Sequence, residues 1–391
     1  MRDRPSLPST ERILLGPGPS TIPTRVMRAM AAPVLSHLDG DLLTLMDDVR
    51  ERLTRLFRAT DDTLAIAVSG TGTSGMEALV ANLVQDGTRV LAIVTGYFGD
   101  RLAEICRRYG GRVRRLEVER GRAVDPQAVR EELRKDGADL VACVHAETST
   151  GVLNPVESIA AVAREHDALI LVDAVTSLGG HPVEVEAWGL DAVYSCTQKC
   201  VGAPSGLAPI AWTRRARSRK ATSRSFYFDL ELLEDYWVRR KYHHTLSSTL
   251  LYALHDALVA IEEEGLEARW ARHRRHHQAL AHGLEAMGLE LLPPPGERLW
   301  TLNAIRVPEG VDEAAVRRAL LTEFGIEIGA GLGPLAGRIW RVGFMGASST
   351  RANLALFLSA LDQVLRARGF RCSPGAGVAA LAELDEFEPP S

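Results

Sequence analysis

Ser195-Cys196-Thr197-Gln198-Lys199-Cys200-Val201-Gly202-Ala203-Pro204 follows an apolar, strand-like segment and runs into a Gly/Pro turn, and Lys199 is the one charge in it. A free lysine amine has a pKa of ~10.4 and desolvation penalises its charged form, so a lysine in such a run is costly unless something is gained. Upstream, Ala168-Leu169-Ile170-Leu171-Val172-Asp173-Ala174 is a second apolar run, ending in one carboxylate. Asp173 and Lys199 therefore sit where neighbouring strands would deliver them to a common site. On these residues alone two readings stay open. One is a buried ion pair; the other is a site for pyridoxal phosphate, where the lysine forms a Schiff base with the cofactor aldehyde and the carboxylate keeps the pyridine nitrogen protonated.

Outward from this pair, residues 63 to 213 alternate short apolar runs with stretches of helical period. Thr63–Val68, Arg89–Val94, Arg112–Val118, Leu140–Val144, Ala168–Val172 and Ala192–Ser195 read as strands. That rhythm predicts an α/β fold with a mainly parallel central sheet covered by helices on both faces. Asp41–Phe57 carries Leu42, Leu45, Met46, Val49, Leu53, Leu56 and Phe57 on one helical stripe. Beyond residue 213, helices are expected over Ser248–Glu264 and Leu266–Met287. A smaller α+β unit follows, with strands near Thr301–Val307, Ile326–Ile328 and Ile339–Phe344 and helices near Asp312–Phe324 and Arg351–Arg368. The division is an amino-terminal arm (1–20), a large domain (21–264), a small domain (265–370) and a poorly ordered or peripheral tail (371–391), since 391 residues exceed what one core usually serves.

A net charge of −4 gives no reason to expect nucleic acid or an anionic membrane as partner. No apolar run approaches the 18 or so residues of a membrane span, and five cysteines without a CxxC pair suit a reducing compartment, so a cytoplasmic protein is expected. The pairs His243-His244 and His276-His277 lack a suitably spaced third ligand, and no metal is expected. His273-Arg274-Arg275-His276-His277 reads as a solvated helix face.

Ser69-Gly70-Thr71-Gly72-Thr73-Ser74-Gly75 follows a strand and opens a helix placed at Met76–Val84. Backbone N–H groups and small hydroxyls there suit a phosphate. Gly70, Gly72 and Gly75 also satisfy GxGxxG, so an NAD-dependent oxidoreductase is an alternative. That motif needs an acid about 20 residues on, closing the next strand, whereas Ile93-Val94-Thr95-Gly96-Tyr97 offers none before Asp100. Tyr97-Phe98 can present a face to a planar ring, and Glu147-Thr148-Ser149-Thr150-Gly151 brings hydroxyls to another strand end. Arg341, in Arg338-Ile339-Trp340-Arg341-Val342-Gly343-Phe344, suits either a bidentate grip on a substrate carboxylate or a structural ion pair.

Taken together, these residues resemble the class V aminotransferases of pyridoxal phosphate fold type I, in the alanine–glyoxylate and serine–glyoxylate (serine–pyruvate) group. The resemblance spans Leu14 to Arg368 and includes Leu15-Gly16-Pro17-Gly18-Pro19-Ser20, Thr197-Gln198-Lys199, Tyr242-His243-His244-Thr245 and Gly331-Leu332-Gly333-Pro334. It implies pyridoxal 5'-phosphate as cofactor, Lys199 as Schiff-base lysine and Asp173 as partner of the pyridine nitrogen. It implies Thr71, Gly72, Thr73 and Gln198 at the phosphate, Thr148 at the ring oxygen, and Phe98 where the family usually stacks a tryptophan. Tyr242 and Thr245 would reach the phosphate of a neighbouring subunit, giving a homodimer with shared sites. Arg341 would hold the substrate carboxylate, with Gly18 and His37 also facing substrate. The implied reaction moves the amino group of alanine or serine to glyoxylate by a ping-pong route, with small amino acids and 2-oxo acids as the partners.

A sister group, the (S)-ureidoglycine–glyoxylate aminotransferases, is resembled by Phe228-Asp229-Leu230 through Glu234-Asp235-Tyr236-Trp237 and by Gly333-Pro334-Leu335-Ala336-Gly337. That group typically carries Gln where this chain has His37 and Asn where it has Tyr242. Those amides suit a ureido substrate, so the alanine/serine reading is preferred.

Overall fold

The computed structural model describes residues 11–385; residues 1–10 of the arm and 386–391 of the tail lie outside it. The main sheet has seven strands: β1 (Leu64–Gly70), β2 (Arg89–Val94), β3 (Arg112–Glu117), β4 (Leu140–Val144), β5 (Leu169–Asp173), β6 (Ala192–Tyr194) and β7 (Gly206–Trp212), in spatial order β1-β7-β6-β5-β4-β2-β3. The β2–β3, β2–β4, β4–β5 and β5–β6 pairings are parallel, while β7 runs antiparallel to both β6 and β1. The sequence reading names the other six and misses β7, because Pro209 at its centre argues against an interior strand. The ladder tolerates it at the end of β6: the Pro209 carbonyl accepts from Ser195 N–H at 2.8 Å, one residue beyond that strand's last.

Helices α1 (Gly40–Leu56), α2 (Gly72–Leu83) and α3 (Tyr97–Arg108) cover this sheet, followed by the long α4 (Ser248–Glu264) and α5 (Leu266–Ala286). Asp39 caps α1 by accepting from Asp41 N–H at 2.9 Å, and Leu42, Met46, Val49, Leu53 and Leu56 on the expected stripe are buried. Each such side chain contributes about 1.5–3 kcal/mol on leaving water. α2 begins four residues earlier than expected. The glycine loop is itself its first turn, Thr71 N–H donating to Ser74 Oγ at 2.9 Å, and Gly75 lies where a Cβ would come within 3.1 Å of Ala208 and Tyr194.

The carboxyl-terminal unit is a three-stranded antiparallel sheet, β8 (Leu302–Arg306), β9 (Gly329–Ala330) and β10 (Ile339–Gly343) in order β8-β10-β9, with α6 (Glu313–Phe324) and α7 (Arg351–Arg366). Two hydrophobic cores result. One gathers buried residues from Val26 to Ile261, the other those from Leu280 to Leu381 together with Leu15. The arm thus crosses between them: Ile13–Leu14 pairs in parallel with Ile326–Glu327, and Leu15 lies in the second core.

Two expectations are corrected. The 371–391 stretch contains a helix, α8 (Ala376–Asp385), with Ala380 and Leu381 buried; Gly377 lets it approach α5 so closely that a Cβ would meet Gly283 O at 3.1 Å. His273 and His277 are not on a solvated face but are buried at 1% and 7% exposure. α5 is enclosed at that point: His273 Nε2 accepts from Gly346 N–H at 3.1 Å, and His277 Nδ1 lies 2.7 Å from Asn303 Oδ1. No helix among the described residues is long and apolar enough to cross a membrane.

Candidate active site

Parallel strands end together, and loops leaving their carboxyl ends are where open α/β sheets place ligands. Here those ends surround a cavity of about 260 Å³ lined by residues that include Gly18, Thr71, Gly72, Thr73, Phe98, Arg101, Thr148, Asp173, Thr176, Gln198 and Lys199. A larger groove of about 800 Å³ lies by α1 and α4, but its Arg52, Arg55 and Arg58 are already paired with Glu262 and Glu267, and neither Asp173 nor Lys199 lines it.

Asp173 closes β5 and is buried at 3% exposure. One oxygen accepts from Tyr194 Oη at 2.7 Å and the other from Val175 N–H at 2.8 Å. Burial pushes its pKa up to about 6 against the pull of those two hydrogen bonds. Lys199 follows β6, and its amine is lowered below the ordinary lysine range, chiefly by desolvation. The arm clamps it: Lys199 Nζ donates to the Pro17 carbonyl, Ser20 Oγ donates to the Lys199 carbonyl at 2.7 Å, and Ser20 N–H donates to the Gln198 carbonyl at 2.9 Å. Gly18, at φ +112°, leaves the lysine its room, since a Cβ there would lie 2.6 Å from Lys199 Nζ.

The cavity's far wall is set by one buried carboxylate. Glu147 accepts from Phe98 and Gly99 N–H, each at 3.2 Å, and from Ser149 Oγ at 2.6 Å, so it caps the amino end of α3 and seats Phe98 against the site. Burial raises its pKa although these donors oppose the shift. Arg341 on β10 is buried, donating to Ala330 O at 2.6 Å and toward the Thr148 carbonyl at 3.4 Å. Desolvation lowers its pKa to about 10. No carboxylate among the described residues lies within ion-pair distance of it, although the buried Glu147 opposes part of the lowering from farther away.

His37, Tyr242, Thr245 and Arg341 do not line this cavity, Arg341 reaching only the carbonyl of its wall residue Thr148. Tyr242 is 61% exposed, and its ring stands 5.1 Å from that of His37. Sequence reasoning missed Tyr194, Ser20, Arg101 and the capping role of Glu147. Tyr194 faces Asp173 only because β5 and β6 are neighbours in that register, which no local pattern reveals. The nicotinamide alternative loses further ground here, because Asp100 is taken up by Arg115 and Arg120.

The donor set fits a planar aldehyde carrying a phosphate. A desolvated amine and a buried carboxylate line one cavity, the first turn of α2 opens on it, and an orphaned hydroxyl that can donate, Thr176 Oγ1, belongs to its wall. Within the first turn of α2, a Cβ on Gly72 would meet Val175 at 2.9 Å. The chain belongs to the class V aminotransferases, whose family profile matches residues 13–360. It is therefore an aminotransferase of fold type I, from a family of pyridoxal phosphate enzymes. It is similar to the crystal structure of ureidoglycine–glyoxylate aminotransferase from Bacillus subtilis, with a TM-score of 0.94 and 40% identity over 98% of this chain and 100% of that one. It is also similar to the alanine–glyoxylate aminotransferase structure from Nostoc sp., with a TM-score of 0.90 and 43% identity over 93% and 99% of the chains. The alanine–glyoxylate aminotransferase of Drosophila melanogaster is 36% identical over 91% of this chain and 92% of its own.

Proposed function

We propose that this aminotransferase holds pyridoxal 5'-phosphate in the cavity between Asp173 and Lys199 and transfers the amino group of a small L-amino acid, alanine or serine, to glyoxylate. The observation that carries the reading is the convergence on one cavity of Lys199, Asp173 and the start of α2, with Arg341 beside Thr148 and in no ion pair with a carboxylate among the described residues, Glu147 acting on it only at longer range. When bound, the cofactor supplies a ring that takes up the electron pair left as the α-proton departs. The protein does the rest. Asp173, fixed by Tyr194 and Val175, faces the pyridine nitrogen as a carboxylate. Lys199 Nζ, made less basic by desolvation, would take the α-proton and deliver a proton to the carbon of the cofactor's former aldehyde, so that the amino group stays with the cofactor. Arg341 binds the substrate carboxylate in two parallel hydrogen bonds. Thr71, Gly72, Thr73 and Gln198 hold the phosphate, Thr148 contacts the ring oxygen and Phe98 covers the ring.

Tyr242 and Thr245 are exposed and away from the cavity of their own chain. In this reading they complete the site of a second copy, and His37 stands with Tyr242 at its entrance. Val34, Leu38, Phe226 and Tyr242 are exposed at 75%, 48%, 72% and 61%, an apolar surface suited to a homodimer contact. Cys106, Cys143, Cys196 and Cys200 are free and buried, which suits a cytoplasmic enzyme.

The (S)-ureidoglycine–glyoxylate reading has equal support from similarity, through the Bacillus subtilis relative. What inclines the reading to alanine or serine is the sequence resemblance alone: it expects amides at positions 37 and 242 for a ureido substrate, and this chain has His37 and Tyr242, whose rings stand 5.1 Å apart. The test is a half-reaction on the cofactor-loaded protein. L-alanine or L-serine should bleach the visible band of the bound cofactor rapidly, and glyoxylate should restore it. Conversion by ureidoglycine alone would transfer the enzyme to the sister group, and a protein that takes up no cofactor would overturn the reading.

A further inference from the structure

A phosphate monoester brings roughly 1.5 to 2 negative charges into its site, and a site excluded from water must answer them. The described residues that line the cavity carry two cationic side chains, Lys199 and Arg101, and one carboxylate, Asp173. The proposed chemistry commits Lys199 to the aldehyde end and Asp173 to the pyridine nitrogen. Arg101 is left as the only fixed positive side chain on the cavity wall among those residues.

Its placement matches that task. Arg101 stands one turn into α3, half-buried, with its guanidinium 5.1 Å from the Phe98 ring centroid and 5.2 Å from that of Tyr97. Nη1 donates to Thr73 Oγ1 at 3.1 Å, in the first turn of α2. Because that hydroxyl oxygen is already an acceptor, its proton is free to point into the cavity toward an anion. No carboxylate among the described residues pairs with Arg101, whereas neighbouring Arg107, Arg108 and Arg115 all have one. A guanidinium held near two mutually perpendicular aromatic rings and a hydroxyl, beside a helix amino terminus and without a counter-ion, is a cation awaiting one.

We infer that Arg101 is the counter-ion of the cofactor phosphate, a positioning residue that also orients the Thr73 hydroxyl and holds the Phe98 ring. The inference rests on the pyridoxal phosphate reading above.

The experiment compares two ligands on protein stripped of cofactor: pyridoxal 5'-phosphate and pyridoxal, which lacks the phosphate. Losing a charged hydrogen-bond partner should weaken pyridoxal 5'-phosphate binding by Arg101→Met about 10- to 100-fold, with pyridoxal affinity changed less than about threefold and Arg101→Lys intermediate. Inorganic phosphate should raise the melting temperature of stripped wild-type protein and not that of Arg101→Met. Equal weakening of both ligands would reduce Arg101 to a structural role and overturn the inference, as would unchanged pyridoxal 5'-phosphate affinity. Should Arg101→Met fail to fold, Arg101→Lys and the wild-type phosphate response decide the matter. If wild-type protein bound neither ligand, the cofactor reading itself would fall.

Discussion

Asp173 shows how a single buried group reports on its own purpose. Its folded pKa of about 6 lies above the ~3.9 of an unfolded aspartate, so the folded protein holds this proton more tightly. The sign follows: the stabilisation is complete below about pH 4, falls as pH rises through the interval, and is gone above pH 6, a swing of about 3 kcal/mol. Cofactor-free protein should therefore melt progressively lower between pH 4 and 6, and Asp173→Asn should flatten that slope and melt higher than wild type at pH 8 while losing activity. An Asn variant with an unchanged slope would show that the carboxylate is solvated after all. Gly18→Ala tests the opposite kind of constraint. A Cβ 2.6 Å from Lys199 Nζ, on backbone at φ +112°, should cost about 1–3 kcal/mol and displace the amine. The expected result is a kcat reduced ~10-fold or more, with cofactor uptake slowed; unchanged kcat would mean the lysine has other room.

At the level of elements, α3 is the piece on which the cavity wall depends. Its first N–H groups have no intrahelical partner, and Glu147 receives two of them from the strand-end loop after β4. Glu147→Gln puts an amide NH2 where an acceptor is needed, so a loss of about 1–3 kcal/mol is expected, read as a lower urea midpoint at constant slope. Pyridoxal 5'-phosphate affinity should fall with it, because Phe98 and Arg101 ride on the same helix; a stability loss without an affinity loss would separate the two. The strand-end position of Asp173, and Lys199 in the turn five residues beyond β6, were legible because a lone charge in an apolar run is expensive and stands out. β7 was not, because Pro209 is unfavourable in a strand by local rules, while in the sheet its carbonyl keeps pairing with Ser195 N–H. The buried His273 and His277 were hidden for a similar reason: they alternate with arginines on a polar helix, and only enclosure of α5 removes them from water.

For the whole molecule, the exposed Val34, Phe226 and Tyr242 carry the expectation of a dimer. Sedimentation of the loaded protein should give twice the chain mass of 42.6 kDa, and Phe226→Asp combined with Val34→Asp should weaken association by at least about 100-fold, on ~1.5–3 kcal/mol per apolar side chain withdrawn from the contact. A wild-type monomer with full activity would refute shared sites. The sequence by itself determined the α/β rhythm, the aspartate at a strand end, the lysine in the turn beyond another and the small-residue turn suited to a phosphate, because these are local: each follows from the period of apolar residues, the cost of an isolated buried charge, or the free N–H groups of a helix start. Only the tertiary structure decided which groups meet. Tyr194 reaches Asp173 through strand register, Pro17 and Ser20 reach Lys199 through an arm that crosses between two cores, and Arg101 reaches Thr73 because Glu147 fixes the start of α3. Those contacts join residues far apart in the chain, and their geometry is set by how the layers pack rather than by any residue's own neighbours.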